Sequence, residues 1–311
     1  MTCMTAIRTE NLCKTYRSRW GRDETSAVRM LNLDVKEGEI FGFLGPNGAG
    51  KTSTIHLLLN LTRPTGGAAH LFDQPVTDTN VHRRLGYLPE TVNLHDYYRG
   101  KDLLNFYAAL CGVPTEARSE RVTELLKLLQ LEDAAQKSVA KYSKGMAQRI
   151  GFAQAMLHDP DLLILDEPTA SLDPVGRKEF RDILLELKRR GKTVFISSHI
   201  LSEVESVCDR VAILQKGELK RVGTLQELSA GRSTKLVVKG VPAPVLETLA
   251  ASGAEVTLAQ GQVTIRCLSE ALRQTVEDLL RQSNVEVLKS ETEAQSLEEI
   301  FFSTITPPPK L

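Results

Sequence analysis

The stretch Gly45-Pro46-Asn47-Gly48-Ala49-Gly50-Lys51-Thr52-Ser53 constrains this chain more than any other. It follows Glu39-Ile40-Phe41-Gly42-Phe43-Leu44, an apolar run that reads as a short buried strand. It leads into Thr54 to Leu61, which reads as a helix with an apolar face. Strand, glycine-rich turn and helix around G-x-x-x-x-G-K-T is the setting that a phosphate-binding P-loop requires. Glycines let backbone N–H groups close around phosphate oxygens with no Cβ in the way, and the helix N-terminus adds partial positive charge. Lys51 is then expected to reach the β- and γ-phosphates, and the Thr52 hydroxyl to sit on Mg²⁺. A tight glycine turn without a ligand is the alternative, and the matched flanks weigh against it. The chain is expected to bind a nucleoside triphosphate.

A length of 311 residues predicts one large domain with a smaller one beside it. Lys+Arg and Asp+Glu both total 39, so bulk charge argues neither for nucleic acid nor for an anionic membrane surface. The five cysteines (Cys3, Cys13, Cys111, Cys208 and Cys267) are scattered, with no C-x-x-C pair and no clustered histidine. That pattern predicts reduced thiols in a cytosolic compartment, without disulfide partners or a zinc site. Met1 to Thr5 lacks a basic region followed by an apolar core, so no signal peptide is expected. No apolar run approaches the roughly 20 residues of a spanning helix, and any membrane role is expected to pass through a partner.

Residues Thr5 to Val35 alternate in a way that predicts antiparallel strands, with Ser18 to Ser26, which contains Trp20, as an exposed hairpin tip. After the first helix, short strands are predicted at Ala68–Phe72 and Leu85–Glu90. Between about residues 91 and 150 the texture changes. Leu103, Leu104, Phe106, Tyr107 and Leu110 recur at helical spacing, as do Leu125, Leu126, Leu128 and Leu129, which predicts a helical subdomain inside an α/β chain. Leu162-Leu163-Ile164-Leu165 ends in Asp166-Glu167-Pro168 and fits a strand buried on both faces with its charged end at a site. A helix at about 175–190, a strand at 193–199, another helix and a strand at 210–214 complete a RecA-like P-loop core. Residues 5–230 are read as this nucleotide-binding domain. Residues 231–305 read as βαββαβ, a small α+β accessory domain of ferredoxin-like arrangement. Its strands are expected at 234–239, 255–258, 262–267 and 285–289, and its helices at 244–252 and 269–281. A capped helix is expected at 296–302, and residues 306–311, with Pro307-Pro308-Pro309, form a tail.

A P-loop alone leaves kinases, GTPases, helicases and transporters open. Asp166 ends the core strand, where a carboxylate can hold Mg²⁺ or its water, and Glu167 can polarise the attacking water. Before that strand lies Lys141-Tyr142-Ser143-Lys144-Gly145-Met146-Ala147-Gln148-Arg149. Taken alone it is a serine-capped helix start, but its position before Asp166 favours a site. Here the chain resembles the ATP-binding subunits of ABC transporters, whose signature loop usually reads Leu-Ser-Gly-Gly-Gln. Ser143 and Gly145 are kept, while Tyr142, Lys144 and Met146 depart toward the drug-resistance or ABC-2-type export branch. Other motifs follow in the family's order from about Thr5 to Leu228. Tyr16, otherwise a strand aromatic, matches the residue that stacks on adenine. Glu90 takes the place of the Q-loop glutamine, which the resemblance puts with Thr52 and Asp166 at the metal. Ser171-Leu172-Asp173 matches the D-loop that crosses a dimer interface. His199, otherwise a strand-end histidine, matches the switch histidine that contacts the γ-phosphate.

The resemblance implies an ATPase dimer with ATP and Mg²⁺ as ligands. Each ATP lies between one chain's P-loop and Ser143–Gly145 of a second copy or a paralogous subunit. It also implies a separate integral-membrane permease, a place on the cytoplasmic face of the membrane, and transport in the export direction. The cleft after Glu90, with Tyr97, Tyr98, Phe106 and Tyr107, is expected to receive a short cytoplasmic helix of that permease. A non-transport ABC ATPase acting on ribosomes or DNA is disfavoured by the single cassette and the lack of sustained heptads or metal clusters. A P-loop kinase or GTPase leaves residues 141–149 and His199 unexplained.

Overall fold

The computed structural model describes residues 4–17, 24–229, 232–252, 254–259, 262–267, 270–283, 285–294 and 296–305. The expected hairpin tip around Trp20 and the Pro307–Pro309 tail fall outside these. The chain forms two compact units, Met1–Val222 and Gly223–Leu311.

In the first unit, β1 (Thr5–Arg17) and β2 (Glu24–Lys36) pair antiparallel, and β3 (Ile40–Leu44) enters the core. All five residues of β3 are buried, which is why its sequence is continuously apolar rather than alternating. α1 (Lys51–Leu58) follows the P-loop at once, earlier than the expected start at Thr54. It also ends earlier, because Asn60 adopts a left-handed φ of 54° and Leu61 N donates back to His56 O at 2.9 Å. β4 (Gly66–Leu71) and β5 (Gln74–Pro75) complete a four-stranded sheet in the order β2-β1-β4-β5.

β6 (Leu85–Leu88) returns to the main sheet, and the helical region then follows as α2 (Gly100–Leu110), α3 (Thr115–Leu128) and α4 (Lys144–Met156). Next come β7 (Leu162–Asp166), α5 (Pro174–Arg189), β8 (Thr193–Ser198), α6 (Leu201–Val207), β9 (Arg210–Gln215) and β10 (Glu218–Thr224). The main sheet runs β10-β9-β3-β8-β7-β6, with β9, β3, β8, β7 and β6 mutually parallel. Phe195 of β8 ties its centre together, its ring 5.9 Å from that of Phe41 and 5.0 Å from that of Phe43. β10 was not expected. Its Glu-Leu-Lys-Arg-Val-Gly-Thr sequence lies at the sheet edge, where only one face needs to be apolar.

The second unit opens with α7 (Leu225–Leu228), held by a capping box between Thr224 and Glu227. β11 (Arg232–Lys239), α8 (Ala243–Ala251), β12 (Glu255–Ala259), β13 (Gln262–Cys267), α9 (Glu270–Gln282) and β14 (Val287–Ala294) give the βαββαβ order. The sheet runs β12-β13-β11-β14 with every pair antiparallel, the ferredoxin-like arrangement. Leu236, Val238, Val263 and Ile265 of the sheet pack with Leu249, Val276 and Leu280 of the helices. The last strand begins at Val287 and runs to Ala294, later and longer than the expected 285–289. α10 (Leu297–Ile305) carries a capping box in which Ser296 and Glu299 bond reciprocally at 3.0 and 3.3 Å.

Candidate functional site

The carboxyl ends of β3, β7 and β8 lie side by side, which is where parallel sheets place their ligands. The loop from Gly45 to Gly50 leaves β3 there, and two of its glycines are demanded by the backbone. Gly50 has φ 108°, and a Cβ on it would stand 2.2 Å from the Ala27 carbonyl oxygen. Gly45 abuts the Leu214 carbonyl, where a Cβ would approach to 2.7 Å. The loop is braced from β9, because Gly217 N donates to Ala49 O at 2.8 Å. No side chain caps α1 and no acid lies in its first turn, so its positive end is met by neither.

Lys51, Glu167 and His199 converge under this loop. Lys51 is 7% exposed and donates to Gly45 O at 2.7 Å. Its ammonium lies 3.2 Å from Glu167 Oε1. The other carboxylate oxygen of Glu167 faces His199, with Nδ1 at 2.7 Å and the backbone N at 3.3 Å. Glu167 leaves β7 with a left-handed φ of 47°, an uncommon conformation for a residue with a Cβ. Its N–H, 3.1 Å from Ser197 Oγ and 3.2 Å from Ser197 O, fixes that turn to β8. Ser197 Oγ also donates to Asp166 Oδ1 at 2.5 Å, so one neighbouring hydroxyl orients both carboxylate residues. Asp166 is 1% exposed. Tyr87, on β6, has its phenol pushed up to about 12 by burial and by the charges of Asp166 and Glu90.

Lys51, Glu167 and His199 line a cavity of 730 Å³ together with Tyr16, Pro46, Asn47, Gly48, Ala49, Gly50, Thr52, Ser53 and Glu90. Asp166, buried beside Glu167 at the end of β7, is not part of its wall. Tyr16 carries the Lys14 ammonium 5.0 Å from its ring centre. Thr25, Ser26, Ala27, Arg29 and Lys216 complete the wall. They went unsingled in the sequence because they arrive by strand neighbourhood. The one local signal was the Lys216-Gly217 turn after an apolar strand, with Lys216 at φ 51°. A larger hollow of 1230 Å³ lies among His82, Arg83, Cys111, Arg121, His158 and Lys192, but it has no glycine loop. Chemistry rather than size selects the smaller cavity.

Ser143, Gly145 and Asp173 lie elsewhere in the chain. With Ser171, Leu172 and Arg149 they line a separate cleft of 510 Å³. Ser143 caps α4 by accepting from Met146 N at 3.2 Å, and Asp173 caps α5 by accepting from Gly176 N at 2.8 Å. The oxygen donors Thr52, Asp166 and Glu90 suit a hard cation such as Mg²⁺. No cluster of three His, Cys, Asp or Glu among the described residues forms a cage of its own. Among the described residues no helix is long and apolar enough to cross a membrane. Cys13, Cys111, Cys208 and Cys267 are free thiols.

The ABC transporter family profile matches residues 28–170. An uncharacterized ABC transporter ATP-binding protein of Nostoc sp. is 46% identical over 73% of this chain and 69% of its own length. The bacitracin transport ATP-binding protein BcrA of Bacillus licheniformis is 42% identical over 69% of this chain and 68% of its length. The fluoroquinolones export ATP-binding protein Rv2688c of Mycobacterium tuberculosis is 38% identical over 70% and 72%. Among solved structures, the dimeric post-hydrolysis state of the ATP-binding cassette MJ0796 bound to ADP and Pi superposes with a TM-score of 0.65. It is 26% identical, over 70% of this chain and 98% of that one. P-loop, buried Asp-Glu pair and histidine thus stand on the shared cassette fold, and this chain belongs to the ABC transporter ATP-binding protein family.

Proposed function

We propose that two copies of this ATPase, or one copy and a paralogue, enclose two ATP molecules and that their hydrolysis drives export through a separate membrane permease. The observation that carries this reading is the division of polar groups between two clefts. Lys51, Glu167 and His199 meet in one, with Asp166 buried next to Glu167, while Ser143 and Gly145 lie in another, so a single chain supplies only part of the enclosure. A γ-phosphate held by Lys51 needs further donors opposite, and Ser143 Oγ with the backbone of Gly145 from a second subunit supplies them.

In the proposed reaction Tyr16 stacks on adenine, and the backbone of Gly45 to Gly50, together with Thr52 and Ser53, holds the phosphates. Glu167 accepts the proton of the attacking water as the water oxygen bonds to the γ-phosphorus. The bond to the β–γ bridging oxygen breaks, leaving ADP and inorganic phosphate. His199 orients the Glu167 carboxylate and meets the γ-phosphate. Thr52, Asp166 and Glu90 would hold Mg²⁺, which neutralises charge on the β- and γ-oxygens when bound. Asp173, in the loop beside Gly145, faces the second subunit. Residues 5–230 serve as the ATPase cassette, and 231–305 as an accessory domain.

The permease contact is assigned to the aromatics after Glu90. Tyr97 is 96% exposed, and the rings of Tyr98 and Phe106 stack at 5.6 Å beside Tyr107. Exposed aromatic clusters of this kind serve as anchors for a partner helix. Such attachment would place the protein on the cytoplasmic face of the membrane. Export is the direction in the names of the fluoroquinolone relatives.

The reading is tested by Glu167→Gln, which keeps the shape of the side chain and removes its basicity. Turnover is expected to fall by about 10²–10⁴-fold, with ATP still bound and a dimer accumulating on size-exclusion chromatography. Undiminished hydrolysis would remove Glu167 as base, and a monomer with ATP bound would remove the sandwich. Exchanging Tyr97 and Tyr98 together for Ser is expected to abolish co-purification with the permease while leaving ATPase activity intact.

A further inference from the structure

Glu203 lies in the first turn of α6, a short way along the chain from His199. Its side chain is 17% exposed and plays no part in the reaction above. Glu203 Oε2 accepts a short hydrogen bond from Thr169 Oγ1. Thr169 stands in the turn that follows Glu167, where Ala170 N donates to Glu167 O at 3.2 Å and Leu172 N to Thr169 O at 3.0 Å. Glu203 Oε1 is 3.4 Å from Arg177 Nε, and that same N–H donates to Leu172 O at 3.1 Å. Leu172 in turn lies against the other cleft, where a methyl added to Gly145 would stand 3.6 Å from Leu172 Cδ2 and 3.7 Å from Ser171 O. One carboxylate therefore joins the helix after His199, the turn after Glu167 and the loop that touches Gly145.

We propose that Glu203 is a positioning residue that keeps Ser171–Asp173 and the Ser143–Gly145 loop in register with Glu167 and His199 of the same chain. This rests on the dimeric reading above, in which those two places serve different ATP molecules. Glu203 then makes the state of one nucleotide felt at the loop that covers the other. A carboxylate suits the task because it satisfies the Thr169 hydroxyl with one oxygen and balances Arg177 with the other. An amide keeps only the first contact, and alanine keeps neither while leaving Thr169 and Arg177 without that partner. Contacts in series couple two sites only when they move together, so the test must read coupling and not rate alone.

The full-length chain is measured as wild type, Glu203→Gln, Glu203→Ala, Thr169→Val and the double variant Thr169→Val with Glu203→Ala. Melting temperature, ATP dissociation constant, kcat, KM and the Hill coefficient for ATP are recorded for each. Both Glu203 variants are expected to bind ATP within about twofold of wild type. Glu203→Gln is expected to melt close to it and Glu203→Ala lower, because the buried Thr169 hydroxyl loses its acceptor. In Glu203→Ala kcat is expected to fall about tenfold and the Hill coefficient to drop from about 2 toward about 1. Glu203→Gln is expected to fall between Ala and wild type, and the double variant to be no worse than Glu203→Ala. An unchanged Hill coefficient in the folded Glu203 variants overturns the proposal, as do additive losses in the double variant. A large drop in melting temperature even for the isosteric Gln variant overturns it in favour of a purely structural role. A wild type that turns over as a non-cooperative monomer removes the dimeric reading, whereas a failure confined to the variants removes only the role of Glu203.

Discussion

The nucleotide cavity and the Ser143–Asp173 cleft use polar side chains in opposite ways. At the cavity, Lys51 and Glu167, with Asp166 next to them, are almost wholly buried and are satisfied through Gly45 O, Ser197 Oγ and His199. In the cleft, Ser143 and Asp173 are exposed and already occupied as N-caps of α4 and α5. Charges buried together away from water are costly to assemble and so advertise a site within a single chain. Capping residues on a surface advertise nothing, because a cap is explanation enough. Their proposed role depends on a second subunit, and it shows only as a requirement left open by the first cleft.

The comparison breaks most visibly at Lys51. Lys51→Ala is expected to weaken ATP binding by about 10–100-fold in an equilibrium titration, the loss of a charge-assisted contact. It also removes a partner from buried Glu167. The accompanying loss of stability should fall below the roughly 3–5 kcal/mol typical of a broken buried pair, because His199 Nδ1 remains 2.7 Å from the other carboxylate oxygen. Equal affinity for ATP in this variant would end the assignment of the cavity.

The cleft is sharpened by separating the cap from the contact. Ser143→Asp preserves an N-cap acceptor, so melting temperature should hold, but it sets an anion where a partner's γ-phosphate is proposed to lie. Turnover is expected to fall about tenfold or more while ATP binding to the single chain is unaffected. Normal turnover in Ser143→Asp would return Ser143 to its capping role alone. The smallest effect is expected at Tyr16. Replacing it with Ala should weaken ATP binding about three- to tenfold through lost stacking, and Phe should restore it. Failure of Phe to restore binding would shift the contact from the ring to the hydroxyl.

The same contrast explains what could be read before the structure. β3 and β7 were legible because a strand buried on both faces has to be almost continuously apolar, and β8 because Val194-Phe195-Ile196 at its centre is. Lys51, Asp166 and Glu167 were legible because phosphate chemistry ties residue type to spacing. The ferredoxin-like order of the second unit followed from alternation, although its last strand lay a little further on. β10 escaped because an edge strand carries no obligatory apolar period. The start of α1 was misjudged because Lys51, Thr52 and Ser53 belong both to a loop motif and to a helix. Arg29 and Glu203 could not be found locally, and Lys216 only as part of a turn. Lys216 and Arg29 line the cavity because β9 lies beside β3 and because Arg29 N bonds to Gly217 O at 2.8 Å. Glu203 matters only through partners 34 and 26 positions away at Thr169 and Arg177, separations that no local pattern encodes.

Strand order also governs when, during synthesis, the site can form. β3, which presents the P-loop, pairs with β8 on one side and β9 on the other, and with no strand made earlier. The turn before it already waits for Thr193, whose hydroxyl accepts from Gly38 N across 155 positions of sequence. A ribosome that has released only the first half of the chain therefore exposes a P-loop on a strand with neither neighbour. The nascent protein can hold nucleotide only once β9 has emerged, so ATP becomes a late reward of folding, and fragments ending before Gln215 should bind none.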